Sequence, residues 1–198
     1  MARVTRESFF TAAFAVLAQE GFPGVTAAGL CQRLGVTRGS FYHHFGSFEI
    51  FIKELTAHWQ RLYTDNLVAM AHEERGPLGE QLHALVHMAA SLPHEVEIAL
   101  RVWGTMNPEV REAVAHVDQL RVVGLADALT ASGFEQLVAQ RFSRLSIAAL
   151  IGAQLSVTPL TEDYLNELLE PLQSDLEELN PARRRDAGRG RATKGHGT

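Results

Sequence analysis

Along most of the chain, apolar residues recur every three or four positions. There is no sustained alternation, and Ala and Leu outnumber the β-branched residues, which is the pattern of amphipathic helices. Proline punctuates this pattern at 23, 77, 93, 108, 159 and 181, and only Pro171 falls inside a helix-like run. Proline cannot continue a helix that it did not start, and it biases the preceding residue away from helix. Ser132-Gly133 is a further break of the helix-end type. Nine helices are predicted between these breaks, at about 6–20, 27–34, 38–44, 47–75, 78–92, 94–105, 109–132, 135–157 and 162–179. The expected class is all-α, and no internal repeat is visible.

The stretch from Val25 to Ile52 carries the most information. Thr26 can cap a helix through its hydroxyl, after which Leu30, Cys31 and Leu34 face inward. Gly35 stands where a positive φ ends that helix. Val36 plugs the turn, and Thr37 caps a second short helix, Arg38 to His44. Two short helices joined by a glycine-containing turn form a helix-turn-helix, whose second helix enters a DNA major groove. The residue types suit that task. Arg38 can fork onto guanine, Ser40 can reach a base or a phosphate, and the Tyr42 hydroxyl can donate to a phosphate. Gly39 allows close approach, while Phe41 and Phe45 anchor the helix from within.

The run Thr26-Ala-Ala-Gly-Leu-Cys-Gln-Arg-Leu-Gly-Val-Thr-Arg-Gly-Ser-Phe-Tyr-His-His-Phe closely resembles the DNA-binding head of the TetR family of bacterial transcriptional repressors. The preceding helix, ending at Gly21-Phe22, matches too, so the likeness covers about residues 5–52, roughly a quarter of the chain. It implies that Thr26, Ala28, Arg38, Gly39, Ser40, Tyr42, His43 and His44 face DNA. The caps Thr37 and Ser47 complete that set. It also implies a body of some six further helices that binds an effector, with the final pair building a four-helix bundle with a second copy. Two positions depart from the family pattern. Gly29 replaces a larger residue, and Phe48 stands where many members place a lysine that touches a phosphate.

Charge sharpens the division. The chain has 198 residues and a formal charge of −5, but residues 1–46 are net +2, residues 47–180 net −12 and residues 181–198 net +5. A head that tolerates a polyanion is thus joined to a body that repels one. The expected organisation is a helix-turn-helix domain over 1–46, an effector-binding and dimerisation domain over 47–180, and a disordered basic tail over 181–198. A single cysteine, Cys31, excludes a disulfide scaffold or a cysteine-rich zinc site and fits a reducing cytosol. No apolar stretch reaches membrane-spanning length. Arg3 and Arg6 before Phe9–Ala18 imitate a secretory signal, but Glu7 interrupts the basic region. Phe10, Phe14 and Leu17 repeat at helical spacing, which a packed helix needs and a signal does not. A cytoplasmic protein is expected.

The body offers three candidate features. Glu80, His83 and His87 share one helix face, half of what a di-iron bundle needs, and no second Glu-x-x-His occurs. This face supports an alternative reading as a helical metal-binding protein or metalloenzyme, against a polar face or a polar cavity wall. Trp59, Tyr63, Met70, His87, Met88, Trp103, Met106 and Phe142 are candidate effector contacts, although the bulky ones serve a core equally well. Asp118 and Arg121 are spaced to pair, and Arg33 is either solvated or a phosphate contact. In the last two helices, Leu145, Ala148, Ala149, Gly152 and Ala153 mix small and apolar residues. Leu165, Leu168, Leu169 and Leu172, with Leu176 beyond, form a leucine stripe. These are the expected dimer contacts. No catalytic triad, nucleotide-binding loop or catalytic cysteine arrangement appears, so no cofactor and no metal are expected. The expected function is a homodimeric, ligand-responsive repressor that binds double-stranded operator DNA, with no membrane partner and no enzymatic activity.

Overall fold

The computed structural model describes residues 4–65, 68–69, 77–156 and 158–180. Within these residues there are nine α-helices and no strand. They are α1 (Arg6–Glu20), α2 (Ala27–Leu34), α3 (Arg38–Phe45), α4 (Phe48–Gln60), α5 (Leu78–Ala90), α6 (His94–Gly104), α7 (Pro108–Ala131), α8 (Gln136–Gln154) and α9 (Glu162–Glu178). The basic tail lies outside the described residues, as does Met70.

Local chemistry sets most of the boundaries. Thr5 caps α1 in a reciprocal box with Ser8, and Thr26, Thr37, Ser47 and Thr161 cap α2, α3, α4 and α9 through their hydroxyls. Gly35 ends α2 at φ 66°, in the left-handed region that a side chain would disfavour. Pro171 does sit inside α9. Within the predicted helix over 47–75, α4 ends at Gln60 and continues as a π-helical turn, Arg61–Asp65, across which the Gln60 amide donates to Asp65 Oδ1 at 3.3 Å; residues 68–69 are again α-helical, and the rest of the span lies outside the described residues.

The chain forms two compact units. Among the described residues the first comprises 4–65 and 92–119, and the second 68–69, 77–91, 120–156 and 158–180, so α7 contributes its first half to one and its second half to the other. In the first unit an aromatic cluster carries the packing. Phe9 meets Phe41 and Phe45 edge-on, both at 5.5 Å, and Phe51 lies 5.1 Å from Phe41 and 4.9 Å from Phe45. Leu17, Leu30, Leu55 and Trp59 extend this core to Leu100, Trp103 and Val110, Val114 and Val117 of α6 and α7. Aromatic pairs contribute about 0.5–1.5 kcal/mol each beyond their burial, so this cluster fixes the geometry of α1, α3 and α4. In the second unit Leu82, Ala126, Leu129, Phe134, Ala139, Phe142 and Leu176 form a separate core.

Ion pairs bind distant segments within the first unit. Arg6 Nη1 donates to both Glu54 oxygens at 2.8 and 2.9 Å, and its Nη2 donates to the His44 carbonyl. Arg101 clasps Asp118 through two bonds of 2.7 and 2.8 Å. Burial works against the Arg101 charge, but Asp118 and nearby Glu97 more than offset it and hold the guanidinium above its ordinary value. The expected pairing of Asp118 with Arg121 is therefore replaced. The i, i+3 spacing permits that pair, but an arginine on the neighbouring helix offers the planar two-bond geometry.

Candidate nucleic-acid interface and apolar cavity

The helix-turn-helix is built as its caps and anchors require. Phe41 and Phe45 are buried under α3, which leaves Arg38, Gly39, Tyr42 and His43 exposed along the opposite side. Tyr42 is 44% exposed, and Arg38 has no ion-pair partner among the described residues. Thr26, Ala28 and Thr37 are exposed as well, whereas Ser40, His44 and Ser47 are half-buried. His44 leans on Phe9 with ring centroids 5.7 Å apart, so part of its surface serves packing. A free guanidinium beside a phenol and an imidazole on one short helix can fork onto a base edge and donate to phosphates.

Three residues are resolved by their surroundings. Arg33 reaches back to α1, donating to Glu20 at 3.2 Å and to Gln19 at 2.7 Å, so its guanidinium is tied to α1 at the surface. A Cβ on Gly29 would lie 3.0 Å from Thr26 Oγ1 and 3.3 Å from the Gly24 carbonyl, which explains the glycine through the tightness of the cap. Phe48 is half-buried, 5.7 Å from Phe51 and 6.2 Å from Phe41, and extends the aromatic cluster. Beside it, the backbone N–H of Glu49 and the Ser47 hydroxyl hold the Glu49 carboxyl below the usual carboxylate range. The amino end of α4 is thus already occupied by a carboxylate of its own.

The bulky residues divide otherwise than the sequence suggests. Trp59 and Trp103 are buried in the core of the first unit, where Trp103 stacks on Phe22 at 6.2 Å, and Tyr63 packs against the same core. Met106 is 73% exposed. In the second unit Met88 is half-buried and His87 is exposed, its Nδ1 2.8 Å from Glu162 Oε2. Glu80 and His83 are exposed, and among the described residues no three His, Cys, Asp or Glu side chains are grouped to hold a metal.

The second unit has an apolar cavity of about 70 Å³, partly open to solvent. It is lined by Leu82, Leu85, Val86 and Ala89 of α5, Arg121 and Leu125 of α7, Phe142, Ser146, Ile147 and Leu150 of α8, and Leu165, Leu169 and Gln173 of α9, with Val68. Of the described sequence candidates for effector contact, it brings in Phe142 alone. Sequence reasoning missed the rest because four helices each give a few residues, and nothing in one helix's periodicity names its neighbours. Leu165, Leu169 and Ala153, expected at a dimer contact, are buried by the chain's own helices. Leu145, Ala148, Gly152 and Leu168 stay exposed, and a Cβ on Gly152 would meet nothing within 4 Å.

Residues 9–55 match the family model of bacterial regulatory proteins, tetR family. Among solved structures, a transcriptional regulator from Rhodococcus sp. Rha1 is similar at 23% identity and a TM-score of 0.68, over 86% of this chain and 95% of that one. A TetR-family transcriptional regulator from Rhodococcus sp. gives 18% identity and a TM-score of 0.62, over 85% and 97%. A transcriptional regulator from Saccharomonospora viridis, solved in complex with choline, gives 21% identity and a TM-score of 0.59, over 83% and 95%. No curated protein sequence matches the chain. No helix among the described residues is long and apolar enough to cross a membrane. With the aromatic-anchored helix-turn-helix inside the matched segment and the fold shared along almost the whole length of these regulators, the chain has the DNA-binding domain and the all-α fold of TetR-family transcriptional regulators.

Proposed function

We propose that the protein is a ligand-responsive repressor that binds a near-palindromic operator as a homodimer in the cytoplasm, and that it is not an enzyme. The observation that carries this reading is the display on α3: Arg38, Tyr42 and His43 are exposed while Phe41 and Phe45 are buried beneath them. Thr26, Ala28, Thr37, Gly39, Ser40, His44 and Ser47 flank these side chains as further contacts to bases or backbone. Residues 1–46 act as the reading head, residues 47–180 as the effector-binding and dimerisation body, and the basic tail adds sequence-independent attraction to DNA. Exposed Leu145, Ala148, Gly152 and Leu168 support pairing through α8 and α9, because a small-residue patch flanked by leucines lets helices of two copies approach closely. The cavity supports effector binding, and one regulator of the same fold holds choline. An effector lowers operator affinity only if it favours the arrangement of the two heads that does not fit DNA.

The test is DNA selected by the protein from a random pool, followed by a gel shift over a salt series. Arg38→Ala is expected to cost about 1–3 kcal/mol per half-site and to relax preference at one base position, as loss of a bidentate base contact does. Tyr42→Phe is expected to weaken all sequences alike, because a phosphate carries no sequence information. Selection that yields no preferred sequence overturns the proposal, and an Arg38→Ala variant with intact discrimination removes Arg38 from base reading.

A further inference from the structure

The chemistry of the cavity lining narrows what the cavity can hold. Ser146, on α8, is 8% exposed, and its Oγ has no hydrogen-bond partner among the described residues, although most buried hydroxyls have one. It faces a space walled mostly by Leu, Ile, Val, Ala and one Phe. Gln173 supplies the only other uncharged polar side chain of the lining. Among the described residues no Asp, Glu, Lys or His lines the space, and a single aromatic ring, Phe142, cannot cage a cation. Arg121 is the one charged lining residue, is 1% exposed and is already engaged. An ion of either sign would therefore meet no free counter-charge among the described residues, and a buried charge is tolerated only when paired.

With the cavity taken as the effector site of the proposed repressor, a reading on which this inference rests, we infer that it holds an uncharged, mostly apolar molecule. That molecule carries a single hydrogen-bonding oxygen (a ketone, ester or alcohol), which Ser146 engages. The apolar part fills the leucine-rich walls, as in ligand sites where a few polar groups fix orientation. The oxygen completes the hydrogen bonding that the Ser146 hydroxyl lacks. This selects among amphiphiles of equal length by head group, because the walls gain the same from every tail.

The experiment uses the full chain and displacement of Nile red, a neutral apolar dye, by three probes of matched chain length. These are methyl octyl ketone, decanoate and decyltrimethylammonium. The ketone is expected to bind at least about tenfold more tightly than either ion, since an unpaired buried charge costs more than a satisfied carbonyl. Ser146→Ala is expected to weaken the ketone by about three- to tenfold, the range of one lost hydrogen bond, with each Kd corrected for the dye affinity measured on the same variant. Ser146→Thr keeps the hydroxyl and should restore ketone binding, and Leu85→Trp should abolish binding of dye and ketone by filling the space. Equal or tighter binding of either ion, no displacement by the ketone, or a Ser146→Ala variant with unaltered ketone affinity overturns the inference. Release of selected DNA is measured separately. A ketone that binds in the expected way without releasing DNA sinks the ligand-responsive repressor and leaves the assignment of ligand class standing.

Discussion

Phe48→Lys tests how the head is joined to the fourth helix. On sequence grounds the substitution would add the phosphate-contacting lysine found in many relatives. Two released counterions per dimer would then steepen the slope of log K against log[salt] by about 0.9 each, or roughly 1.8 units. The structure points to the opposite outcome. Phe48 is half-buried and stacked 5.7 Å from Phe51, with Phe41 at 6.2 Å. Removing the ring loses about 1 kcal/mol of aromatic pairing, and part of the burial, although the lysine stem recovers some of the latter. A cation in the first turn of α4 adds about 0.3–1 kcal/mol against the helix dipole. The expected total is about 2 kcal/mol, which for a chain of this size lowers Tm by about 4–8 °C. The position packs against Phe41 and Phe51, which turns a side chain there toward the aromatic cluster and away from a phosphate. The salt slope should therefore move by less than about 0.5 units. Differential scanning fluorimetry and a salt series of DNA shifts on one variant give both numbers. A slope steepened by about 1.8 units at unchanged Tm would refute the packing account and restore the phosphate contact.

Gly152→Leu should leave the Tm of the isolated chain unchanged or slightly higher, because a side chain there meets nothing and leucine favours helix by several tenths of a kcal/mol over glycine. Sedimentation should nonetheless show loss of the dimer through overpacking, and a variant that remains dimeric places Gly152 outside the interface. Asp118→Ala removes the two-bond partner of the Arg101 guanidinium in a mostly buried site and should cost about 2–3 kcal/mol by chemical denaturation, somewhat below the cost for a fully buried pair. Arg121→Met should not reproduce that loss through Asp118, which a double-mutant cycle with no coupling between positions 118 and 121 would establish. Burial raises the Cys31 thiol pKa, against the opposing influence of the Phe41 backbone and the Arg38 charge. Alkylation of the folded protein near neutral pH should accordingly be slow and should accelerate on unfolding; equal rates in both states would contradict the burial.

The sequence determined what depends on neighbours in the chain. Thr26, Thr37 and Ser47 cap their helices because each hydroxyl needs only the N–H three residues on. Gly35 ends α2 through its own φ, and the buried Phe41 and Phe45 follow from helical period. The helix-turn-helix, and with it the DNA-facing side of α3, was legible for that reason. The tertiary structure decided what depends on which helix meets which. Trp103 is equally suited to a cavity wall or a core, and contact with Phe22 places it in the core of the first unit. Asp118 had an arginine at helical spacing yet pairs with Arg101, seventeen positions away. Arg33 is held by Gln19 and Glu20, and His87 by Glu162. The cavity draws on four helices and Val68, and its hydroxyl without a partner, Ser146, looks in the sequence like any other helical serine. Periodicity states that a side chain faces inward, but the surface it meets there is set by packing between segments far apart in sequence.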